Sequence, residues 1–164
     1  MEKKFILSPE VAAKKLKRMA FEILENNFGE KGFVLAGIRE SGTSIAHIIQ
    51  DLLKEISGLQ SELITVSLDK KAPKEVTLSQ QPEMMNRVII LIDDVCNSGK
   101  TLLYAIKPFL EYQPKKIQTL VLVERSHNAF PVKPDYVGLS VATTLQEHIY
   151  VEVDKGRVKG VWLE

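Results

Sequence analysis

The sequence predicts an α/β fold with a mainly parallel, twisted sheet that is flanked by helices. Short apolar runs alternate along the chain with amphipathic segments of helical spacing, and one long polar loop interrupts the alternation. Several of the runs are apolar on both faces, which is typical of strands buried in a parallel sheet. Ligands of such sheets bind beyond the carboxyl ends of the strands, so a functional site is expected in the loops there.

The first half of the chain reads as helix, strand, helix and strand. The first helix is predicted to begin after Ser8, because serine is a good N-cap and Pro9 suits the first helical position, and to end near Gly29. The apolar run 33–38 is predicted as a buried strand, and the polar loop 39–42 follows it. The apolar residues of the second helix are Ile45, Ile48, Ile49, Leu52 and Leu53.

The second half repeats this order after a long loop. Residues 61–68 alternate as a strand does, and residues 69–85 are predicted as a polar loop. A buried strand over 88–92 runs into a polar turn, and Pro108 should kink or shorten the helix that follows. The remaining predicted strands are 117–124, 136–141, 149–153 and 158–163.

Composition excludes several classes of protein. The 164 residues carry a formal net charge of +1, with 45% hydrophobic and 26% charged residues, as in an ordinary globular domain. This balance gives no global attraction to nucleic acid or to a membrane surface. The single cysteine, Cys96, excludes an internal disulfide and a Cys-rich zinc site. The N-terminus does not read as a signal peptide and no apolar run is long enough to span a membrane, so the cytoplasm is the expected compartment.

The segment 88–101, VIILIDDVCNSGKT, carries most of the functional information. A buried strand ends in two adjacent carboxylates, Asp93 and Asp94, and a turn with Gly99 then opens a helix. The free N–H groups and positive dipole end of such a turn suit a phosphate. Carboxylates nearby accept hydrogen bonds from hydroxyls, directly or through Mg²⁺, and the layout matches ribose 5-phosphate.

Two other interpretations of this segment remain open. The letters GKT at 99–101 suggest a nucleotide P-loop, but that motif needs a glycine where Asp94 stands. Alternatively, the two acids could serve only as a helix N-cap.

Three stretches give the sequence a family resemblance. VIILIDDVCNSGKT resembles the phosphoribosyl pyrophosphate (PRPP) signature of type I phosphoribosyltransferases. LVLVERSHNAFPVKPDYVGLSVAT is similar to one branch, the bifunctional pyrimidine-operon attenuator/uracil phosphoribosyltransferases, and LAGIRESGTSIA resembles that branch's pyrophosphate loop. The matches cover roughly 31–48, 86–107 and 118–153. The resemblance implies one phosphoribosyltransferase-like domain over 1–164, with a small hood formed by the terminal segments.

The resemblance also implies roles for individual residues. Asp93 and Asp94 would be the catalytic pair, binding the ribose hydroxyls directly or through Mg²⁺ that arrives with PRPP. The 5-phosphate would be wrapped by Cys96, Asn97, Ser98, Gly99, Lys100 and Thr101. Pyrophosphate would be held by Arg39, Glu40, Ser41 and Gly42, and the base side would be formed by Arg125, Ser126 and His127.

The sequence departs from the family at the pyrophosphate loop. The branch usually has threonine where Glu40 stands and arginine where Ser41 stands, so local charge shifts by two units against pyrophosphate. The predicted loop 69–85 contains Lys70, Lys71 and Lys74. These lysines either compensate for the change in charge at the pyrophosphate loop or are simply solvated. Many members carry a carboxylate at the position of Asn97, so no carboxylate base is predicted from this loop.

The predicted reaction joins uracil and PRPP to give UMP and pyrophosphate. The alternatives are an RNA-binding regulator that senses UMP or PRPP, a relative whose catalysis has decayed, and a purine-specific transferase. The candidate RNA contacts are the scattered cations Lys115, Lys116, Arg125 and Lys133. A homodimer or higher homo-oligomer is expected by resemblance alone. Cys96 is predicted to be a small buried residue rather than a nucleophile, and Tyr136 to be a core residue.

Overall fold

The computed structural model describes residues 3–144 and 146–164. These residues form a six-stranded sheet, a three-stranded sheet, three α-helices and one 3₁₀ helix. The elements are β1 Lys4–Leu7, α1 Pro9–Asn26, β2 Val34–Ile38, α2 Ser41–Ser57, β3 Glu62–Ser67, β4 Thr77–Leu78, β5 Val88–Cys96, α3 Lys100–Ile106, the 3₁₀ helix Lys107–Tyr112, β6 Lys116–Arg125, β7 Tyr136–Val141, β8 Ile149–Asp154 and β9 Arg157–Leu163.

The large sheet has the strand order β4-β3-β2-β5-β6-β7. Its five longer strands run parallel, and only the two-residue β4 pairs antiparallel, at the edge beside β3. β2 and β5 are central and wholly or mostly buried, which explains their near-continuous apolar sequences. The predicted mainly parallel α/β fold is therefore confirmed.

Each face of the large sheet is covered by helices. The helices α1 and α2 bury residues such as Leu16, Ile23 and Ile49 against one face, to which β5 contributes Ile90 and Ile92. The helix α3 and the 3₁₀ helix cover the other face with a second apolar cluster. Successive side chains of a strand point to opposite faces, so each central strand supplies both clusters.

The helix boundaries follow the predicted signals. Ser8 caps α1 by accepting a hydrogen bond from the Val11 amide at 3.2 Å, and Pro9 is the first helical residue. The helix α3 ends at Ile106, and the 3₁₀ helix that contains Pro108 continues the chain, as the missing proline N–H requires. Within the described residues, no helix has the length and apolar character that a membrane crossing needs.

The small sheet forms the predicted hood. Its strand order is β1-β9-β8, with antiparallel pairing throughout, and it packs onto α1 and α2. Strands from both ends of the described chain therefore meet in one sheet. β8 and β9 were predicted from the sequence, whereas β1, which is only four residues long, was not.

The carboxyl ends of the five parallel strands lie at one rim of the large sheet. In chain order, the segments that leave this rim are 39–40, 68–76, 97–99, 126–135 and 142–148. All of the residues predicted to form the site lie in these segments or at the strand and helix ends beside them.

Candidate active site

The two adjacent acids lie inside strand β5 rather than in the loop after it. β5 remains paired with β6 as far as Cys96, which lies opposite Glu124. The Asp93 side chain is only 1% exposed and accepts a hydrogen bond from the Asp94 amide at 2.9 Å. Asp94 is less buried, and its carboxylate accepts from the Val95 amide at 2.8 Å. Strand pairing and these local hydrogen bonds hold both carboxylates in fixed positions at the rim.

Lys70 reaches the acid pair from the segment that follows β3. Its Nζ lies 3.2 and 3.3 Å from the two carboxylate oxygens of Asp93 and 3.7 Å from Oδ1 of Asp94. One of the two interpretations of the lysine loop, a merely solvated segment, is therefore wrong for Lys70.

Burial and mutual charge shift the pKa values of this cluster. Burial raises the pKa of Asp93 well above its ordinary value, Asp94 adds to the rise, and Lys70 opposes it. Burial lowers the pKa of Lys70, but the two carboxylates outweigh it, so the net pKa is raised. The two raised pKa values oppose each other, because a protonated, neutral Asp93 would attract the ammonium group of Lys70 less strongly. We take Asp93 as ionised at neutral pH, since both of its oxygens lie within hydrogen-bond distance of the ammonium group.

A cavity of about 190 Å³ opens beside the acid pair. It is lined by Lys70, Asp93 and every residue from Val95 to Leu102. The predicted 5-phosphate loop therefore surrounds the same hollow as the acid pair. Gly99 precedes α3 in the left-handed conformation, with φ of 88°, and the first amides of a helix have no intrahelical acceptor. The hollow thus combines the Asp93 carboxylate on one side with a backbone turn that suits an anion on the other.

The 5-phosphate loop is braced by the segment after β6. The amides of Ala129 and Phe130 both donate to the Ser98 carbonyl at 3.0 Å. A Cβ on Gly99 would lie 3.1 Å from the Val132 carbonyl oxygen, so this segment packs closely against the glycine. Base-side residues were predicted in this stretch, but its support of the phosphate loop was not.

The predicted pyrophosphate loop is divided between a turn and a helix. Arg39 and Glu40 form an exposed turn, while Ser41 and Gly42 are the first residues of α2. Glu40 has φ of 60°, an uncommon conformation for a residue with a side chain, and it makes no side-chain cap to the helix. Gly42 packs against Asp93, where an added Cβ would lie 3.3 Å from the carboxylate oxygen. This loop therefore adjoins the acid pair through Gly42, although it does not line the cavity.

The predicted base-side residues lie between the large sheet and the hood. Arg125 is the last residue of β6, and its guanidinium donates to the carbonyl of Thr144 at 3.3 Å and to the carbonyl of Glu147. The Ser126 amide donates to the Val141 carbonyl at 3.1 Å, and His127 is exposed. Arg125 thus connects the rim to the segment that enters the hood. None of the three lines the cavity beside Asp93.

The two predictions about buried single residues are confirmed. Cys96 is 3% exposed, and burial raises the pKa of its thiol to about 11, with further rises from Glu124 and Asp93. A protonated thiol without an activating base is not a nucleophile. Tyr136 is fully buried, and its hydroxyl donates to Gln118 at 2.9 Å, which satisfies it within the core.

The donor set at the acid pair suits a cation. Within residues 3–144 and 146–164, no group of three or more His, Cys, Asp or Glu side chains could hold a metal ion by itself. Asp93 and Asp94 nevertheless hold an ammonium group with three of their oxygens. Two hard carboxylates with a ligand's own oxygens fit the requirements of Mg²⁺, so such an ion would enter with the ligand.

Comparison with known proteins identifies the family. A sequence profile of the phosphoribosyl transferase domain matches residues 6–155, which is most of the chain. The chain belongs to the phosphoribosyltransferase family. Its fold places the acid pair and the turn after it at the carboxyl rim of the large sheet.

Relatives from bacteria extend along nearly the whole of this phosphoribosyltransferase. It is 36% identical over 158 residues to the Bifunctional protein PyrR of Clostridium acetobutylicum, covering 90% of this chain and 89% of that protein. It is 31% identical over 164 residues to the Bifunctional protein PyrR of Macrococcus caseolyticus, covering 94% of each.

Solved structures confirm the fold of this phosphoribosyltransferase. The hypoxanthine phosphoribosyltransferase of Trypanosoma cruzi superposes with a TM-score of 0.76 at 13% identity, covering 96% of this chain and 95% of that one. A hypoxanthine-guanine phosphoribosyltransferase of Bacillus anthracis gives 0.73 at 17% identity and covers 96% of each. At these identities the likeness concerns the fold alone.

Proposed function

We propose that this protein transfers the 5-phosphoribosyl group of PRPP to a nucleobase, with uracil as the acceptor and UMP and pyrophosphate as products. The observation that carries the proposal is the shared cavity of Asp93 and residues 95–102, at the carboxyl rim of a phosphoribosyltransferase fold. The choice of uracil rests on the sequence resemblance to the pyrimidine branch and on relatives that bear the name Bifunctional protein PyrR.

The chemistry follows from the positions of these groups. A bond forms between N1 of uracil and C1 of the ribose, the C1–O bond to pyrophosphate breaks with its electron pair, and the N1 proton is released. Positive charge develops on the sugar ring as pyrophosphate leaves. Asp93 and Asp94 hold the ring hydroxyls and lie where that charge develops, so they stabilise the transition state electrostatically.

The turn after β5 fixes the other end of the substrate. Residues Cys96 to Thr101 hold the 5-phosphate, and the distance between this turn and the acid pair sets the position of C1. When bound, Mg²⁺ would supply positive charge to the pyrophosphate group. Arg39 provides a cation within the predicted pyrophosphate loop, whereas Glu40 opposes anion binding there.

The proposed reaction is tested by a panel of bases. The purified protein is incubated with PRPP and Mg²⁺ and with uracil, hypoxanthine, guanine or no base, and pyrophosphate release is measured. Release only with uracil supports the proposal. Equal or faster release with hypoxanthine or guanine would move the assignment to a purine acceptor. Tight UMP binding without turnover would indicate a relative whose catalysis has decayed.

A regulatory role in RNA binding has less support. Of the four cations predicted as RNA contacts, Lys115 is paired with Glu30, Lys116 donates to Asn26 and Asn27, and Arg125 binds the hood segment. Binding to the leader RNA of its own operon, measured over a range of salt concentrations, tests this role. Nanomolar, salt-sensitive binding would support a regulator, because phosphate contacts give affinities that fall steeply with salt.

A further inference from the structure

Lys70 occupies the place at the acid pair where a ligand-borne cation would bind. Its ammonium group contacts both oxygens of Asp93 and lies 3.7 Å from Asp94. The Asp93 side chain is 1% exposed, whereas that of Lys70 is 47% exposed. The lysine therefore approaches from the solvent side and covers a carboxylate that the fold has otherwise removed from water.

The charges of this cluster show why a cation must be present. Two ionised carboxylates at adjacent positions repel each other, and a buried carboxylate without a partner is strongly unfavourable. Lys70 offsets one of the two negative charges. Ribose hydroxyls are neutral and cannot balance this charge. They could bind the acid pair only if Lys70 stayed in place or if another cation replaced it.

A divalent cation and Lys70 need the same oxygens. Mg²⁺ binds carboxylate oxygens at about 2.1 Å, which would bring it within a few Å of an ammonium group that holds both oxygens of Asp93. Two cations at that distance repel each other, most strongly where the surroundings exclude water. Each cation therefore weakens the binding of the other at Asp93.

We propose that Lys70 is the internal counter-cation of the acid pair in the ligand-free protein, and that it competes with the divalent cation that enters with PRPP. This inference rests on the proposed function for the identity of the ligand. It makes Lys70 a residue that determines when metal binds: free metal ions bind weakly, and a metal ion that arrives with a phosphorylated sugar displaces the lysine.

Direct metal binding tests the competition. Mn²⁺ replaces Mg²⁺ as a paramagnetic probe, and its binding to the full-length, ligand-free protein is measured by electron paramagnetic resonance. Lys70→Met should tighten Mn²⁺ binding at least tenfold, while Lys70→Arg, which keeps the charge, should leave it unchanged. Lys71→Met is the matched control, because Lys71 is exposed on the same loop and has no hydrogen bond or ion pair to either acid among the described contacts. The double variant Lys70→Met with Asp93→Asn should not show the tighter Mn²⁺ binding.

A second measurement uses the unmodified sequence, in case Lys70→Met does not fold. Lysine acetylation is followed by mass spectrometry with and without Mn²⁺ and ribose 5-phosphate. Labelling of Lys70 should increase severalfold when both are present, and labelling of Lys71 should not change. Unchanged Mn²⁺ affinity in a folded Lys70→Met variant, or unchanged labelling of Lys70, would overturn the inference.

The outcomes separate this inference from the proposed reaction. If no base supports turnover but Lys70→Met still binds Mn²⁺ more tightly, the catalytic proposal fails and the competition stands. If uracil supports turnover and Mn²⁺ affinity does not depend on Lys70, the competition fails and the catalytic proposal stands.

Discussion

Gly42, the second residue of α2, packs directly on the backbone of Asp93. A Cβ at position 42 would lie 2.7 Å from the carbonyl oxygen of Ile92 and 3.2 Å from the Cα of Asp93. The start of α2 and the acid end of β5 can approach this closely only because residue 42 has no side chain. The predicted pyrophosphate loop and the acid pair are therefore coupled mechanically.

Gly42→Ala should damage both stability and activity. Overpacking at this contact should lower the free energy of unfolding by about 1–3 kcal/mol and move Asp93 relative to the phosphate loop. Gly58→Ala is the control at the other end of α2, where φ is +73° and no atom lies within 4 Å of a Cβ. It should cost about 1 kcal/mol without loss of activity. Urea unfolding and pyrophosphate release measure the two effects, and equal activity in both variants would contradict the coupling.

Asp93→Asn together with Asp94→Asn should abolish turnover while leaving the fold intact. Each charged hydrogen bond to a hydroxyl contributes about 1.5–3 kcal/mol, so the loss should be at least about a hundredfold. Asp51→Asn, at an exposed position on α2, is the matched control and should retain full activity. The measurement is pyrophosphate release with uracil, alongside circular dichroism. Undiminished turnover in the double variant would rule out a ribose-binding role for the pair.

Restoring positive charge at the start of α2 should strengthen PRPP binding. Ser41→Arg combined with Glu40→Gln changes local charge by two units, and one new charged hydrogen bond should lower the KM for PRPP about tenfold or more. Glutamine is preferred to threonine at position 40, because φ there is 60° and β-branched residues tolerate that conformation poorly. Ser41→Gln in the same background controls for size. If it lowers the KM as much as arginine does, the positive charge at position 41 is not the cause.

The thiol of Cys96 should resist alkylation in the native protein. Burial raises its pKa from 9.0 to about 11, so the thiolate is rare at pH 8 and the reaction with iodoacetamide should be at least about a hundredfold slower than in concentrated urea. The same pKa shift determines how the free energy of unfolding changes with pH. The unfolded chain loses this proton near pH 9 and the native chain only near pH 11. The free energy of unfolding should therefore decrease as the pH rises from 9 to 11.

Cys96→Ala isolates that contribution of the thiol. The variant should show a smaller fall in unfolding free energy between pH 9 and 11 than the parent protein, as measured by urea titration at each pH. Rapid alkylation of the native parent protein at pH 8 would contradict the buried, protonated state.

Arg125→Met should loosen the connection between the large sheet and the hood. It removes the hydrogen bonds to the carbonyls of Thr144 and Glu147, which should lower the free energy of unfolding by about 1–3 kcal/mol. Amide hydrogen exchange at Glu147 and His148 should accelerate more than exchange in β5. Lys133→Met, at an exposed position, is the comparison variant. Equal exchange in the two variants would show that Arg125 does not hold this segment.

The sequence predicted the five parallel strands of the large sheet, because four of them contain a continuous apolar run and β3 alternates between apolar and polar residues. It placed the two-residue β4 in the predicted loop 69–85, which was wrong for Thr77 and Leu78. It did not predict that β5 continues through Asp93 and Asp94, since polar residues in a strand look like a loop unless the pairing with β6 is known. It also missed β1, whose four residues fold as a strand only because β9 lies beside them. Local patterns therefore predicted the strands that show an apolar run or a regular alternation, and missed the short or polar segments that are strands only through their pairing.

The candidate site shows the same division. The acid pair and the turn after it are contiguous in sequence, so one motif was sufficient to predict them. The contact of Lys70 with Asp93 depends on the path of a loop across the rim, and 23 positions separate the two residues. The only available signal was that Lys70 follows a strand ending at the same rim as β5. Charge complementarity made the contact favourable, but spacing along the chain did not encode it.

The pairing of β1 with β9 has a consequence for how the protein is made. During synthesis, the first strand of the hood leaves the ribosome long before its hydrogen-bonding partner, residues 157–163, exists. Until then Leu7, which is buried in the finished fold, lacks the strand with which it pairs. The hood therefore cannot close before residues 157–163 have been made, and a nascent chain that stops after β7 lacks two of the three hood strands.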